Sequence, residues 1–310
     1  MMRDGLVIAI FGPTASGKSA AAEAIAEIIP AEIVSADAMQ VYRGLPILTN
    51  QPDRATRLTA VWPLDHETSV GEYQRLAHAA VDEISAAGRT PIVTGGTGLY
   101  FRAALAELEL PPAPLPGARD RFERLYDRLG PQRAHAALAG RDPAAAAAVH
   151  PNDRRRVVRA LELEEAGASL RPTRNRLWSR ETRYPTLLVG LDVPRELLAA
   201  RIDERTRRMF ERGVEDEVRA ALAGPLSGTA RHVIGLEEIA SLPREEAMAA
   251  VSLRTRRYAA YQRKWMRRIP RLVLIDAARS PSTVAEEILR LGRPPLTAAE
   301  EAGLGAPPLR

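Results

Sequence analysis

Leu6-Val7-Ile8-Ala9-Ile10-Phe11 runs straight into Gly12-Pro13-Thr14-Ala15-Ser16-Gly17-Lys18-Ser19, and an alanine-rich stretch follows from Ala20 to Ile29. Six successive apolar residues bounded by glycine predict a buried strand. The next eight residues fit the phosphate-loop pattern of two glycines, a lysine and a hydroxyl residue, in the strand–loop–helix context that the pattern requires. Gly12, Pro13, Thr14, Ala15, Ser16, Gly17, Lys18 and Ser19 are therefore the candidate residues for a phosphate or diphosphate. Composition sets Lys18 apart, because 44 basic residues include only two lysines, Lys18 and Lys264. Elsewhere the chain uses arginine, whose planar guanidinium does not replace a compact ammonium reaching into a nest of backbone N–H groups. Ser19 is the candidate hydroxyl for Mg²⁺ beside the phosphates.

Outward from the loop the chain alternates strand and helix. Glu32–Asp37 reads as a second short strand ending at an acid, followed by a polar, irregular stretch from Gly44 to Asp65. Ser69-Val70-Gly71-Glu72 is a capping box. Behind it Tyr73, Leu76, Ala77, Ala80, Val81 and Ile84 recur at helical spacing, and Gly88 closes the helix. Pro91–Thr94 is a third strand that enters Gly95-Gly96-Thr97-Gly98. Four prolines in the seven residues Leu110–Pro116 mark a boundary. The stretch from Ala118 to about Ala168 is helical and rich in Arg and Ala. Thr186–Asp192 resumes a buried strand, helices are expected over 196–223 and 245–269, and a last strand over 271–275. The expectation is an α/β fold: a parallel sheet of the P-loop NTPase type flanked by helices, with an all-helical insertion. The domain limits are 1–110 with 184–310 for the core and 111–183 for the insertion. The tail after about Pro294 reads as disordered.

Composition narrows the classes. Apolar residues make up 45% and charged residues 27%, as in ordinary globular proteins. With no cysteine, disulfides, thiolate metal sites and cysteine nucleophiles are excluded. No stretch has the ~20 apolar residues that span a bilayer, and no signal-peptide pattern is present, so the expectation is a cytoplasmic protein without membrane association. A net charge of +5 is compatible with a polyanionic partner and does not require one.

Ligands of parallel sheets sit outside the carboxyl ends of the strands. The loop, Ser35-Ala36-Asp37 and Gly95-Gly96-Thr97 should meet there. Asp37 reads as a metal ligand, as a general base, or as a helix cap. Thr97 reads as a substrate contact, and its glycines as either close backbone approach or a tight turn. Two arginine clusters stand out. Arg154, Arg155, Arg156 and Arg159 follow His150-Pro151-Asn152-Asp153. Arg254, Arg256, Arg257, Arg263, Lys264, Arg267 and Arg268 interleave with Tyr258, Tyr261 and Trp265. Arginine with aromatic rings suits RNA, and a solvated helix face is the plain alternative. The five histidines show no metal-ligand spacing.

Gly12–Ser19, Ser35-Ala36-Asp37-Ala38-Met39-Gln40-Val41-Tyr42, Gly95-Gly96-Thr97 with Leu99-Tyr100, and His150–Arg156 with Arg159–Glu162 together resemble the bacterial tRNA dimethylallyltransferase family, also called tRNA isopentenyltransferases or IPP transferases. Val193–Leu198 leading to Arg201, Arg205, Met209, Gly213 and Glu217 adds to the resemblance, which covers roughly residues 5 to 270. It implies transfer of a dimethylallyl group from dimethylallyl diphosphate to N6 of the adenosine 3′ of the anticodon, position 37, in tRNAs reading codons that begin with U. By residue match, Asp37 is the family's general base, Thr14–Ser19 its diphosphate loop and Arg205 its diphosphate arginine, with Thr97 alongside as a catalytic residue. Asp37, Ala38, Met39, Gln40, Thr97, Arg119, Arg155, Arg156, Val157, Val158, Arg159, His232 and Gly235 match tRNA-contacting positions. Mg²⁺ is the implied cofactor and the anticodon stem-loop the implied partner of a monomer; nucleotide or ATP binding at the loop stays open.

The chain departs from the family pattern at Pro46–Pro52, at Leu236-Glu237 and at Ala259-Ala260-Tyr261-Gln262, each time losing positive charge on the side assigned to RNA. Three rivals remain. An adenylate isopentenyltransferase acting on a free nucleotide shares the loop and the acid but has no use for the arginine-rich insertion. An ATP-dependent small-molecule kinase shares only the loop. A non-catalytic RNA-binding protein would need neither an intact loop nor Asp37.

Overall fold

Val7–Phe11 forms β1, and all five residues are buried, as expected of a central parallel strand covered on both faces. The computed structural model describes residues 5–112, 114–170 and 176–293. After the loop, α1 (Lys18–Ile28) starts behind Gly17, whose φ of 91° places it in the left-handed region that glycine adopts without strain. β2 (Ala31–Ser35), α2 (Val70–Ala86), β3 (Thr90–Gly95) and α3 (Gly98–Leu105) follow. Ser69 caps α2 by accepting from the Glu72 amide.

The chain divides into two compact units, Met1–Ala106 with Arg180–Arg310, and Glu107–Ser179. The second unit carries α4 (Ala118–Leu129), α5 (Pro131–Arg141), α6 (Pro143–Ala147) and α7 (Arg154–Glu165), with no strand among its described residues. Its core is built from Phe122, Tyr126, Leu138, Val157, Val158 and Leu161. Glu162 is fully buried in this unit and is held by Arg119 at 3.1 Å and Arg159 at 2.9 Å. A buried carboxylate persists only when its charge is met in this way.

The first unit resumes with β4 (Thr186–Asp192), α8 (Arg195–Glu211), α9 (Val214–Leu222), α10 (Leu236–Ser241), α11 (Arg244–Met266), β5 (Val273–Asp276) and α12 (Pro281–Gly292). The sheet is five-stranded and all parallel, in the order β2-β3-β1-β4-β5. Ile8, Ile25, Leu191, Ile202, Val284 and Ile288 pack into one core of the unit. Each such side chain contributes about 1.5–3 kcal/mol by leaving water.

The single helix expected over 196–223 is two helices. Gly213, with φ of 85°, breaks it, and the acidic first turn Glu215-Asp216-Glu217 opens the second. The short helix α10 and the last helix α12 were not anticipated. The tail after about Pro294 lies outside the described residues. Among the described residues, no helix is long and apolar enough to cross a membrane.

Candidate active site

β2, β3 and β1 are neighbours, so the phosphate loop, Asp37 and Thr97 leave the sheet at one edge. The approach there is closer than any side chain permits. A Cβ on Gly95 would lie 2.2 Å from the Ala36 carbonyl oxygen. One on Gly96 would lie 2.2 Å from Gln262 Nε2 and 2.9 Å from the Gly12 carbonyl oxygen. Of the two readings of this glycine pair, close approach is the one observed.

Asp37 is half-buried just beyond β2, and its Oδ1 accepts from the Met39 amide at 2.9 Å. A turn follows instead of a helix, so the helix-cap reading is replaced by a local Asx turn. The Ala38 amide donates to Thr97 Oγ1 at 3.3 Å, and that hydroxyl lies 3.3 Å from the Tyr258 hydroxyl. Gln40 is spent on architecture. Its Oε1 accepts from Ser35 Oγ at 2.9 Å and its Nε2 donates to the Asn50 carbonyl at 2.8 Å.

Lys18 donates from Nζ to the Pro13 carbonyl at 2.8 Å, closing the loop on itself. Burial pushes its ammonium down to about 8, the Asp37 carboxylate opposes this, and the Arg205 guanidinium adds to it. Arg205, from α8, is lowered by burial and supported by Asp37. Both cations thus lie within electrostatic reach of the Asp37 carboxylate. The phenols of Tyr73, Tyr100 and Tyr258 are all raised, first by burial and also by the Asp37 carboxylate. They therefore stay protonated around it. Ser16 Oγ and Arg205 Nε are buried without a hydrogen-bond partner. An oxyanion supplies acceptors of the kind such groups lack.

Ser19 is exposed at the start of α1. Among the described residues no group of three or more His, Cys, Asp or Glu could hold a metal. The Ser19 hydroxyl is a neutral oxygen donor of the kind Mg²⁺ accepts beside phosphates.

The residues matched to tRNA contacts divide by exposure. Arg155 and Arg156 are exposed on α7, whereas the side chains of Val157 and Val158 are buried in the helical core. Arg119 and Arg159 are engaged by Glu162. In the first unit His232 is exposed and Gly235 is buried. Ala38 is buried and Met39 half-buried. On α11, Arg254 pairs with Glu238, Arg256 with Asp203 and Arg263 with Asp192. Arg257, Lys264 and Arg267 are exposed, as is Tyr261 at 54%.

Two functional contacts were not read from sequence. Gln262 Oε1 accepts from the Thr14 amide at 2.7 Å, joining α11 to the phosphate loop. Glu217 accepts from the Ile47 and Leu48 amides at 2.9–3.1 Å, fixing the segment that departs from the family pattern. The local signal for the first is the place of Gln262 on the buried stripe of α11, in line with Val251, Ala259 and Met266.

A family model described as IPP transferase matches residues 40–269, and one described as isopentenyl transferase matches residues 5–59. A tRNA dimethylallyltransferase of Thermobifida fusca is 42% identical, covering 86% of this chain and 88% of its own. One of Salinispora arenicola is 40% identical over 89% and 84%. Among solved structures, the tRNA isopentenylpyrophosphate transferase of Bacillus halodurans aligns with a TM-score of 0.66 at 30% identity, covering 93% of this chain and 96% of its own. A eukaryotic dimethylallyltransferase acting on tRNA shares the fold, with a TM-score of 0.72 at 24% identity over 97% and 84%. The fold and loop are those of the P-loop NTPase class. Within that class, the chain belongs to the IPP transferase family.

Proposed function

We propose that this chain transfers a dimethylallyl group from dimethylallyl diphosphate to N6 of the adenosine at position 37 of tRNA, acting as a monomer on the anticodon stem-loop. The observation that carries the reading is geometric: the phosphate loop, Asp37 and Thr97 leave neighbouring parallel strands at one end of the sheet, Thr97 holds the Ala38 amide beside Asp37, and the Ser16 hydroxyl and Arg205 Nε are buried without a partner. Family membership supplies the chemistry. The N6 lone pair attacks C1 of the allylic chain as the C1–O bond breaks. The diphosphate leaves with the electron pair, and the N6 proton passes to Asp37. The products are N6-(dimethylallyl)adenosine and diphosphate.

An adenine amine is a weak nucleophile because its lone pair is delocalised into the ring, so a base at N6 lowers the barrier. Oδ1 of Asp37 is occupied by the Met39 amide, and the other oxygen takes the proton. Lys18, the loop amides, the orphan Ser16 hydroxyl and Arg205 stabilise charge developing on the leaving diphosphate. Mg²⁺ held at Ser19 would add charge neutralisation on the diphosphate. The reactive base must leave its stack to reach Asp37. Thr97 and the backbone at Ala38 and Met39 bound the space it enters. Arg155, Arg156 and the exposed cations of α11 hold RNA phosphates.

Asp37→Ala tests the assignment. Turnover with tRNA falls at least ~100-fold, the scale of general-base removal, while tRNA affinity in a filter-binding assay stays within threefold. Loss of tRNA binding with turnover per bound complex intact would overturn the base role.

A further inference from the structure

Gln262 is 2% exposed, and every polar atom of its side chain faces the candidate active site. Its Oε1 takes the Thr14 amide at 2.7 Å, at the start of the phosphate loop. Its Nε2 lies so close to Gly96 that a Cβ there would be 2.2 Å away. One turn earlier on the same helix, the Tyr258 hydroxyl lies 3.3 Å from Thr97 Oγ1. Thr97 in turn receives the Ala38 amide beside Asp37. One residue along, Arg263 anchors α11 to the end of β4 through Asp192 and the Val193 carbonyl, each at 2.8 Å. A single buried amide thus stands between the donor-binding loop and the residues around the base.

We propose that Gln262 is a positioning residue for the transfer reaction, setting the phosphate loop through the Thr14 amide and setting Gly96, next to Thr97, by the close approach of its Nε2, so that donor and acceptor are held in mutual register. This rests on the transferase reading above. The chemical need is specific. In-line attack of N6 on C1 requires the allylic carbon and the amine within near-attack distance, and a displacement of 1 Å costs about 100-fold. A glutamine amide accepts from the Thr14 N–H without adding charge beside a diphosphate.

The test compares Gln262→Met and Gln262→Glu with wild type, using dimethylallyl diphosphate and unmodified tRNA. Q262M keeps the volume and loses the bond to the Thr14 amide. It lowers kcat about tenfold to a hundredfold with the melting temperature within a few degrees of wild type. Q262E still accepts from Thr14, but its carboxylate repels the diphosphate. Its KM for the donor rises with pH and recovers towards the wild-type value as the carboxyl protonates. Q262M with kcat within threefold of wild type, or Q262E with the wild-type pH profile, overturns the proposal. The Q262E profile decides alone if Q262M does not fold. Wild type that prenylates nothing contradicts the transferase reading instead. The loop-setting role of Gln262 is then read from inorganic pyrophosphate affinity, which must fall at least tenfold in Q262M and is refuted if it does not.

Discussion

Thr97 Oγ1 accepts the Ala38 amide at 3.3 Å, which ties the residue after Asp37 to the residue before α3. The hydroxyl does not cap its own helix; it holds the turn that carries the acid. Thr97→Val keeps the shape and removes this tie, and kcat is expected to fall about tenfold or more as Asp37 loses its fixed position. Thr97→Ser keeps the hydroxyl and should retain most of the activity. Equal kcat in the valine and wild-type proteins would show that the tie is not used.

Lys18 gives a pH dependence with a defined sign. Its ammonium titrates near 8 in the free fold, against 10.5 when unperturbed. A bound diphosphate favours the charged form, so binding above about pH 8 draws a proton onto the protein. Pyrophosphate affinity, measured by calorimetry, is expected to weaken as pH rises past about 8, with proton uptake seen across buffers of different ionisation enthalpy. In the unliganded protein the same group works the other way. Between about 8 and 10.5 the unfolded chain binds a proton that the folded chain does not, so the Lys18 contribution to stability rises with pH. Affinity independent of pH from 7 to 9.5 would contradict the role of Lys18.

Glu162 makes a separate stability prediction for the helical unit. It is fully buried and carries both Arg119 and Arg159. Glu162→Ala leaves two cations facing a vacated site, at a cost of about 3 kcal/mol, the low end for breaking a buried pair because both arginines still reach water. Chemical denaturation of the whole protein reads it, and a change below about 1 kcal/mol would contradict the pairing.

What the sequence made legible was local. The phosphate loop, Asp37 and Thr97 lie at the ends of strands whose apolar runs are unmistakable, and Ser69 announces α2 as its cap, although only half of the expected box forms because the Glu72 carboxylate meets His66 at 2.9 Å. The break at Gly213 was also written locally, as a glycine followed by three acids within four residues, but the amphipathic pattern runs through it. Ser280-Pro281 likewise marks the start of α12. The Gln262–Thr14 bond was not legible, because it joins residues 248 apart and neither forms a recognisable pair in sequence. The run Arg155–Arg159 shows a different limit. Matching it as one block hid the helical period that turns Val157 and Val158 inward and leaves Arg155 and Arg156 outside.

An allylic diphosphate in the loop and an RNA base as acceptor are tested together. The direct measurement is to incubate the wild-type protein with dimethylallyl diphosphate and Mg²⁺, with either unmodified tRNA or AMP, and to analyse the nucleosides by mass spectrometry. The expected result is a gain of one dimethylallyl group on a single adenosine next to the anticodon and none on AMP. Prenylated AMP with unmodified tRNA would contradict it.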